Sequence, residues 1–132
     1  MNVTYELSLD TPKGKRPVAS LRRPRGLFAR ATGLLGKKSL GKSEGLLLAS
    51  CPAVHTFGMR IPIDVVFICR GRVIRVVREM KPWRVAAALA DTAVELRAGT
   101  AERAGLVRGS RVRFVTAFRV GLEPGRPVEV EF

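Results

Sequence analysis

Histidine, cysteine and aromatic side chains are scarce in this chain, and their scarcity limits the chemistry open to it. His55 is the only histidine, Cys51 and Cys69 are the only cysteines, and no segment interleaves aromatic residues with arginine as base-stacking platforms do. A blue-copper electron-transfer site needs two histidines and a cysteine, so a single histidine excludes that class. The two cysteines could pair only if the fold brought them together, and in a reducing compartment they would remain thiols.

Long apolar runs are missing as well. No run of 18 apolar residues occurs, which argues against a transmembrane helix. The first residues lack the basic segment followed by an apolar one that marks a secretory signal. We therefore expect a cytoplasmic protein.

Acidic residues are absent from residues 11–43, a segment with ten Lys or Arg, and the whole chain carries a net charge of +13. Such a segment favours an anionic partner (nucleic acid, an anionic lipid surface or an acidic protein), although it could also serve solubility alone. The apolar stripe at residues 27–35 is needed for the core of so small a domain, which disfavours the lipid surface. We predict a basic face that binds anionic partners weakly and without sequence preference. Its residues are Arg22, Arg23, Arg25, Arg30, Lys37, Lys38 and Lys42.

The pattern of apolar residues predicts an α+β fold. We expect a single compact β-rich domain over residues 1–132, with a curled, partly closed, barrel-like mixed sheet and two or three short helices. Alternation or a short buried apolar run predicts strands at residues 1–9, 18–21, 44–49, 64–69, 72–80, 93–96, 112–115 and 128–132. Helical segments are predicted at residues 24–36, 85–90 and 99–104.

Residues 36–43 match the phosphate-binding loop pattern G-x-x-x-x-G-K-[ST] letter for letter. That loop requires a buried strand before it and a long helix after it. Here the preceding residues have helical spacing, and only a short segment follows before Pro52. We therefore predict an exposed loop, without a preceding strand, that binds neither ATP nor GTP.

A candidate pocket is predicted near residues 51–64, where most of the chemically capable side chains are collected. Its residues are Cys51, His55, Met59, Arg60, Asp64, Trp83 and Glu95. We expect His55 and Asp64 in one neighbourhood, because only eight residues separate them and Gly58 and Pro62 permit a tight reversal. Trp83 could either be exposed at a binding surface or cap the core.

The chemistry of this pocket has two interpretations. Cys51, His55 and Met59 could hold a soft metal such as Cu(I), or the sulfur side chains could simply belong to the core. Asp64 and Glu95 could perform acid–base chemistry if they shared a pocket, or each could accept hydrogen bonds from backbone amides. We favour the structural interpretation, and we predict no metal and no cofactor.

Several short patterns in a fixed order resemble the bacterial and archaeal family called domain of unknown function 192. They are G-L-L-G at 33–36, E-G-L-L-L at 44–48, C-x-x-V-H-T-F at 51–57, F-x-M-R-x-P-I-D-V-V-F at 57–67, G-x-V at 71–73, P-W at 82–83, V-E-L-x-A-G at 94–99 and G-L-x-x-G at 105–109. The resemblance covers residues 20–115 and implies a compact β-rich fold, with no settled activity. The family often has an aspartate where this chain has Ser110, and some relatives carry export signals.

These observations favour a small non-enzymatic binding or accessory domain with a basic face. One alternative is a small enzyme or soft-metal-binding protein that uses Cys51, His55 and Asp64. A second alternative is a nonspecific nucleic-acid binder.

Overall fold

The computed structural model of this protein describes residues 4–23, 41, 43–50, 52–116 and 129–130. These residues form ten strands and one short helix. In chain order the strands are β1 (Thr4–Thr11), β2 (Gly14–Arg22), β3 (Glu44–Ala49), β4 (Ala53–His55), β5 (Ile63–Cys69), β6 (Arg72–Met80), β7 (Val85–Ala87), β8 (Thr92–Arg97), β9 (Val112–Thr116) and β10 (Glu129–Val130). The helix α1 (Thr100–Ala104) lies between β8 and β9 and is followed by Gly105.

Eight strands form one mixed sheet in the order β10-β9-β1-β2-β3-β8-β5-β6, and β4 and β7 form a separate two-stranded sheet. The pairing of β2 with β3 is parallel, and the other pairs are antiparallel. An isolated bridge between Arg72 and Arg111 also joins the start of β6 to the residue before β9. Among the described residues, no helix is long and apolar enough to cross a bilayer.

Apolar side chains cover both faces of the large sheet. Because successive side chains of a strand point to opposite faces, Leu47 of β3 lies in one core, whereas Leu46 and Leu48 lie in the other. The first core packs against α1 and includes Leu96. The other core, called the second core, lies beneath β4 and β7, which contribute Val54 and Ala86.

The packing between β3 and its neighbours is tight at one glycine. A Cβ atom added at Gly45 would lie 2.5 Å from the backbone oxygen of Glu95 and 2.8 Å from the side chain of Leu21. Real Cβ atoms do not approach a backbone oxygen so closely. Glycine at this position therefore allows β3 to pack into the sheet beside β8.

Most of the predicted strands are confirmed. Those predicted at 44–49 and 72–80 coincide with β3 and β6, and the helix predicted at 99–104 corresponds to α1. The helical prediction at 85–90 is wrong, because residues 85–87 form β7. There the alternation of exposed and buried side chains and the pairing with β4 override the helical preference of alanine.

Other predictions are confirmed only in part or stay predictions. The structure confirms a β-rich domain with a mixed sheet, but the strand pairing does not show a closed or strongly curled, barrel-like sheet. The helix predicted at 24–36 and most of the loop predicted at 36–43 lie outside the described residues. So do most of the residues of the strand predicted at 128–132.

Candidate functional site

Thr56 joins two loops, one following β4 and the other preceding β7. Its buried hydroxyl donates a hydrogen bond to the backbone oxygen of Lys81 (2.7 Å) and accepts one from the backbone N–H of Arg84 (2.9 Å). Its backbone oxygen accepts a hydrogen bond from the N–H of Trp83 (3.0 Å), and its own N–H donates to the oxygen of Arg84 (2.9 Å). Both loops are therefore held in one arrangement by a single residue.

The end of β4 and these two loops present a row of rings on the surface, which we call the aromatic row: His55, Phe57 and Trp83. The ring centroids of His55 and Phe57 lie 5.2 Å apart, with 28° between the ring planes. Those of Phe57 and Trp83 lie 6.0 Å apart, with 31° between the planes. The backbone N–H of Phe57 also donates to Nδ1 of His55 at 3.3 Å. Phe57 and Trp83 are separated by 25 residues in the chain, so only the fold brings them together.

Trp83 is held in a costly conformation and is nevertheless exposed. Its φ angle of 65° lies in the left-handed region, which bulky residues rarely adopt, and 65% of its surface is accessible. Such a conformation costs on the order of 1–3 kcal/mol and persists only where neighbouring contacts impose it. The hydrogen bonds of Thr56 on both sides of Trp83 supply those contacts.

The surroundings of the aromatic row are apolar and cationic. On the outer face of the small sheet, the side chains of Ala53, His55, Val85 and Ala87 are exposed. Residues 56–62 and 81–84, which form the two loops, include three cations and no acid. These cations are Arg60, Lys81 and Arg84, all exposed. The arrangement offers flat apolar surfaces beside positive charge.

Asp64 lies on the face of the large sheet that carries the first core, whereas β4 and β7 pack on the second core, and it has a structural role. It is fully buried, and its Oδ1 accepts a hydrogen bond from the N–H of Glu79 at 2.8 Å. Its Oδ2 accepts one from the N–H of Ala101, in the first turn of α1, at 2.9 Å. Both carboxylate oxygens are thus engaged, and the side chain joins β5 to β6 and α1.

Glu95 is a buried acid on the other face of the sheet. It pairs with Val65 of the second core, whereas Asp64 pairs with Leu96 of the first core. Burial raises the pKa of Glu95 from 4.5 to about 7, and no hydrogen bond or ion pair joins its carboxyl group to another described residue. Because directly opposed residues of neighbouring strands share a face, Asp64 and Glu95 do not share a pocket.

The predicted pocket is therefore divided. The structure brings His55 and Trp83 together, with Arg60 in the adjoining loop, but it does not bring Asp64 or Glu95 to them. Met59 is buried in the second core, as the structural interpretation expects. Cys51 lies outside the described residues, as do Arg25, Arg30, Lys37, Lys38 and Lys42 of the predicted basic face.

The remaining predictions for the site concern the basic face and a metal ion. Arg22 is exposed at the end of β2, and Arg23 follows it. Within the described part of the chain, no group of three or more His, Cys, Asp or Glu side chains could hold a metal ion.

Sequence reasoning missed Thr56 and Phe57 as site residues. Both stand in the stretch identified as chemically rich, but neither carries a group that suggests catalysis or metal binding. A possible signal was the pair of short patterns that end in an aromatic residue, T-F at 56–57 and P-W at 82–83. Only the pairing of β4 with β7 shows that these patterns are neighbours.

Comparison with known proteins identifies the family but no activity. A crystal structure from Sinorhizobium meliloti, described as a "putative transcription regulator", is similar with a TM-score of 0.74 and 20% identity, over 84% of this chain and 93% of that one. A protein of unknown function from Novosphingobium aromaticivorans gives a TM-score of 0.69 and 22% identity, over 81% and 82% of the two chains. At these identities the likeness shows the fold alone.

The remaining comparisons concern sequence. No curated protein matches the chain significantly. The model of the domain of unknown function 192 family, described as "Uncharacterized ACR", matches residues 11–114. The chain therefore belongs to the domain of unknown function 192 family.

Proposed function

We propose that this protein is a small non-enzymatic binding domain whose aromatic row stacks against the bases of single-stranded nucleic acid. The observation that carries the proposal is the exposed row of His55, Phe57 and Trp83, held by Thr56 before any ligand arrives. Stacking of a base on an aromatic side chain contributes about 1–3 kcal/mol and accepts any base. The expected binding is weak and has no sequence preference.

The charge of the chain supports a polyanionic partner. The loops that carry Phe57 and Trp83 contain three cations and no acid, and the whole chain has a net charge of +13. Phosphate groups attract such a surface in a manner that weakens steeply with added salt. The basic face predicted around residues 22–42 would extend this attraction, and a cytoplasmic location would give the domain access to RNA.

The chemistry of the buried acids supports binding rather than catalysis. Both oxygens of Asp64 accept hydrogen bonds from backbone amides, so this carboxylate has a structural task. Glu95 faces the second core and lies apart from Asp64 on the sheet. Neither acid is placed to act on a ligand stacked on the aromatic row.

An anionic membrane is the partner that competes most directly with nucleic acid. The exposed side chains of Val85 (61%) and Leu89 (95%) could enter the interfacial region of a bilayer. The angles of 28° and 31° between neighbouring rings of the aromatic row favour bases, because exposed planar rings with similar orientations offer flat faces to another planar ring. Binding to a membrane would need the exposed side chain of Leu89, whereas stacking of bases on the aromatic row would not. A substitution of Leu89 therefore distinguishes the two partners.

The test measures fluorescence anisotropy of labelled oligothymidylate with the wild-type protein and three variants at low salt. Trp83→Ala and Phe57→Ala are expected to weaken binding by about tenfold, equivalent to roughly 1.4 kcal/mol of lost stacking. Leu89→Ser serves as the control and is expected to bind like the wild type.

The same variants are then sedimented with vesicles that contain anionic lipid. Loss of vesicle binding in Leu89→Ser, combined with unchanged oligothymidylate binding in Trp83→Ala, would overturn nucleic acid as the partner and identify an anionic membrane surface instead. Equal binding of all variants to both partners would leave the aromatic row without a role.

A further inference from the structure

A cleft of about 520 Å³ lies away from the aromatic row, between the β5–β6 turn, the start of β8 and strands β9 and β10. Its floor is apolar and consists of side chains from the first core and β10: Ile68, Val112, Phe114 and Val130. Its rim is polar and includes Arg70, Asp91, Arg111, Arg113 and Glu129. This volume lies in the range of small-molecule sites, which are mostly apolar with a few placed polar groups.

Thr92 contributes a buried polar group that lacks a partner. It is 1% exposed, and its Oγ1 has no hydrogen-bond partner within the described part of the chain. Thr92 pairs with Ile68 across β8 and β5, so both side chains point to the same face, and both line the cleft. A buried hydroxyl without a partner costs about 1–3 kcal/mol, and an isosteric valine would avoid that cost.

The charged groups of the rim differ in whether they already form hydrogen bonds or ion pairs within the protein. Arg113 donates to both oxygens of Asp10, at 2.9 and 3.1 Å, and to Glu129 at 3.2 Å. One oxygen of Asp91 accepts a hydrogen bond from the backbone N–H of Arg70 at 2.9 Å. In contrast, the guanidinium groups of Arg70 and Arg111 make no hydrogen bond or ion pair with any described residue. The unengaged charge at the cleft is therefore mainly positive.

We propose that this cleft binds a small amphipathic organic anion, with its carboxylate at Arg70 and Arg111 and its apolar body over Ile68 and Val112. Arginine recognises carboxylate oxygens through parallel N–H donors. The hydroxyl of Thr92 supplies a further donor at the base of the cleft. The proposal is independent of nucleic-acid binding, because none of these residues belongs to the aromatic row.

The test titrates ¹⁵N-labelled protein with 4-phenylbutyrate, with phenyl phosphate and with the uncharged 4-phenylbutanol, and follows amide chemical shifts. Saturable shifts at Gly71, Thr92 and Val112 are expected with 4-phenylbutyrate, and much weaker ones with the alcohol. Phenyl phosphate tests whether the site prefers a carboxylate, and tighter binding of phenyl phosphate than of 4-phenylbutyrate would overturn that assignment.

Three variants locate the site. Arg111→Gln is expected to weaken 4-phenylbutyrate binding by about tenfold, through loss of a charge-assisted hydrogen bond. Thr92→Val is expected to weaken binding while the protein becomes equally or more stable to urea, a combination that a structural hydroxyl would not produce. Arg97→Gln, an exposed position at the other end of β8, is the control and should bind like the wild type. Equal binding of the acid and the alcohol, or an unchanged affinity in both Arg111→Gln and Thr92→Val, would overturn the proposal.

Discussion

At the scale of single residues, Asp64 shows how one buried carboxylate can hold several elements together. Removal of the side chain in Asp64→Ala leaves the N–H of Ala101 buried without an acceptor and also frees the N–H of Glu79. Each buried donor without a partner costs about 1–3 kcal/mol, so we expect a loss of roughly 2–4 kcal/mol of unfolding free energy. Urea denaturation followed by circular dichroism measures it.

The variant Asp64→Asn is the matched control for this prediction. Its amide oxygen can accept from one of the two N–H groups, while its NH₂ group faces the other donor. We expect an intermediate loss of stability and unchanged binding of oligothymidylate by the folded protein. If the Asp64→Asn variant folded normally but no longer bound oligothymidylate, the carboxylate would have a role in binding as well as in structure.

Glu95 predicts a pH dependence of stability whose sign follows from its raised pKa. Its folded-state pKa of about 7 exceeds the ordinary value of 4.5, so the folded protein retains a proton that the unfolded chain has released between these pH values. The contribution of Glu95 to stability is therefore greatest below pH 4.5 and falls as the pH rises to about 7, by roughly 3 kcal/mol. Urea denaturation at a series of pH values measures the slope.

Glu95→Gln removes the titration while keeping the shape of the side chain. We expect its stability to vary less between pH 4.5 and 7 than that of the wild type, with the largest gain at the upper end of this range. Glu102→Gln, at an exposed position of α1, is the control and should retain the wild-type slope. An identical slope in wild type and Glu95→Gln would contradict the assignment.

At the scale of elements, the close packing at Gly45 makes a sharp prediction. A Cβ atom in Gly45→Ala would meet the backbone oxygen of Glu95 at 2.5 Å, and a backbone atom of a paired strand cannot give way easily. We expect a loss of about 1–3 kcal/mol in urea denaturation, the usual cost of overpacking. At Gly41 an added Cβ meets only the flexible side chain of Glu44, so Gly41→Ala should cost much less.

The sequence predicts a strand well when the apolar or alternating pattern of its side chains indicates which of its faces are buried. β5 is apolar from Val65 to Cys69 because it is buried on both faces, and β6 follows it after the turn formed by Arg70 and Gly71. β4 and β7 are three residues long, too short for a periodic pattern, and β7 consists of valine and alanine. Their existence depends on pairing between segments about 30 residues apart, which local patterns do not contain.

At the scale of the whole molecule, the candidate site could not be predicted from sequence because it also depends on contacts between distant segments. The sequence does not distinguish a binding role from a core role for Trp83, because exposure depends on which segment covers a side chain. The short sequence separation of Asp64 and His55 predicts that they lie together. The alternation of β5 turns the carboxylate towards α1, whereas His55 stays exposed on the small sheet.

The distribution of charge predicts how nucleic-acid binding depends on salt. If Arg60, Lys81 and Arg84 each neutralise one phosphate, the logarithm of the association constant should fall with the logarithm of salt concentration with a slope of about −2. In Arg84→Gln the slope should become shallower by about 0.7, because one counterion fewer is released. Anisotropy titrations at several salt concentrations give both slopes, and a slope that Arg84→Gln leaves unchanged would place the contacts elsewhere.

The fluorescence of Trp83 gives a direct test of base stacking on the aromatic row, because this is the only tryptophan of the chain. We predict that oligothymidylate quenches this fluorescence in a saturable manner, with the same midpoint as the anisotropy titration, since a base stacks on the indole ring. Inorganic polyphosphate has the charge but no bases, and it should bind at low salt without comparable quenching. Equal binding of the two polymers with no change in Trp83 fluorescence would show that the aromatic row does not contact nucleic acid, and would overturn the proposed function.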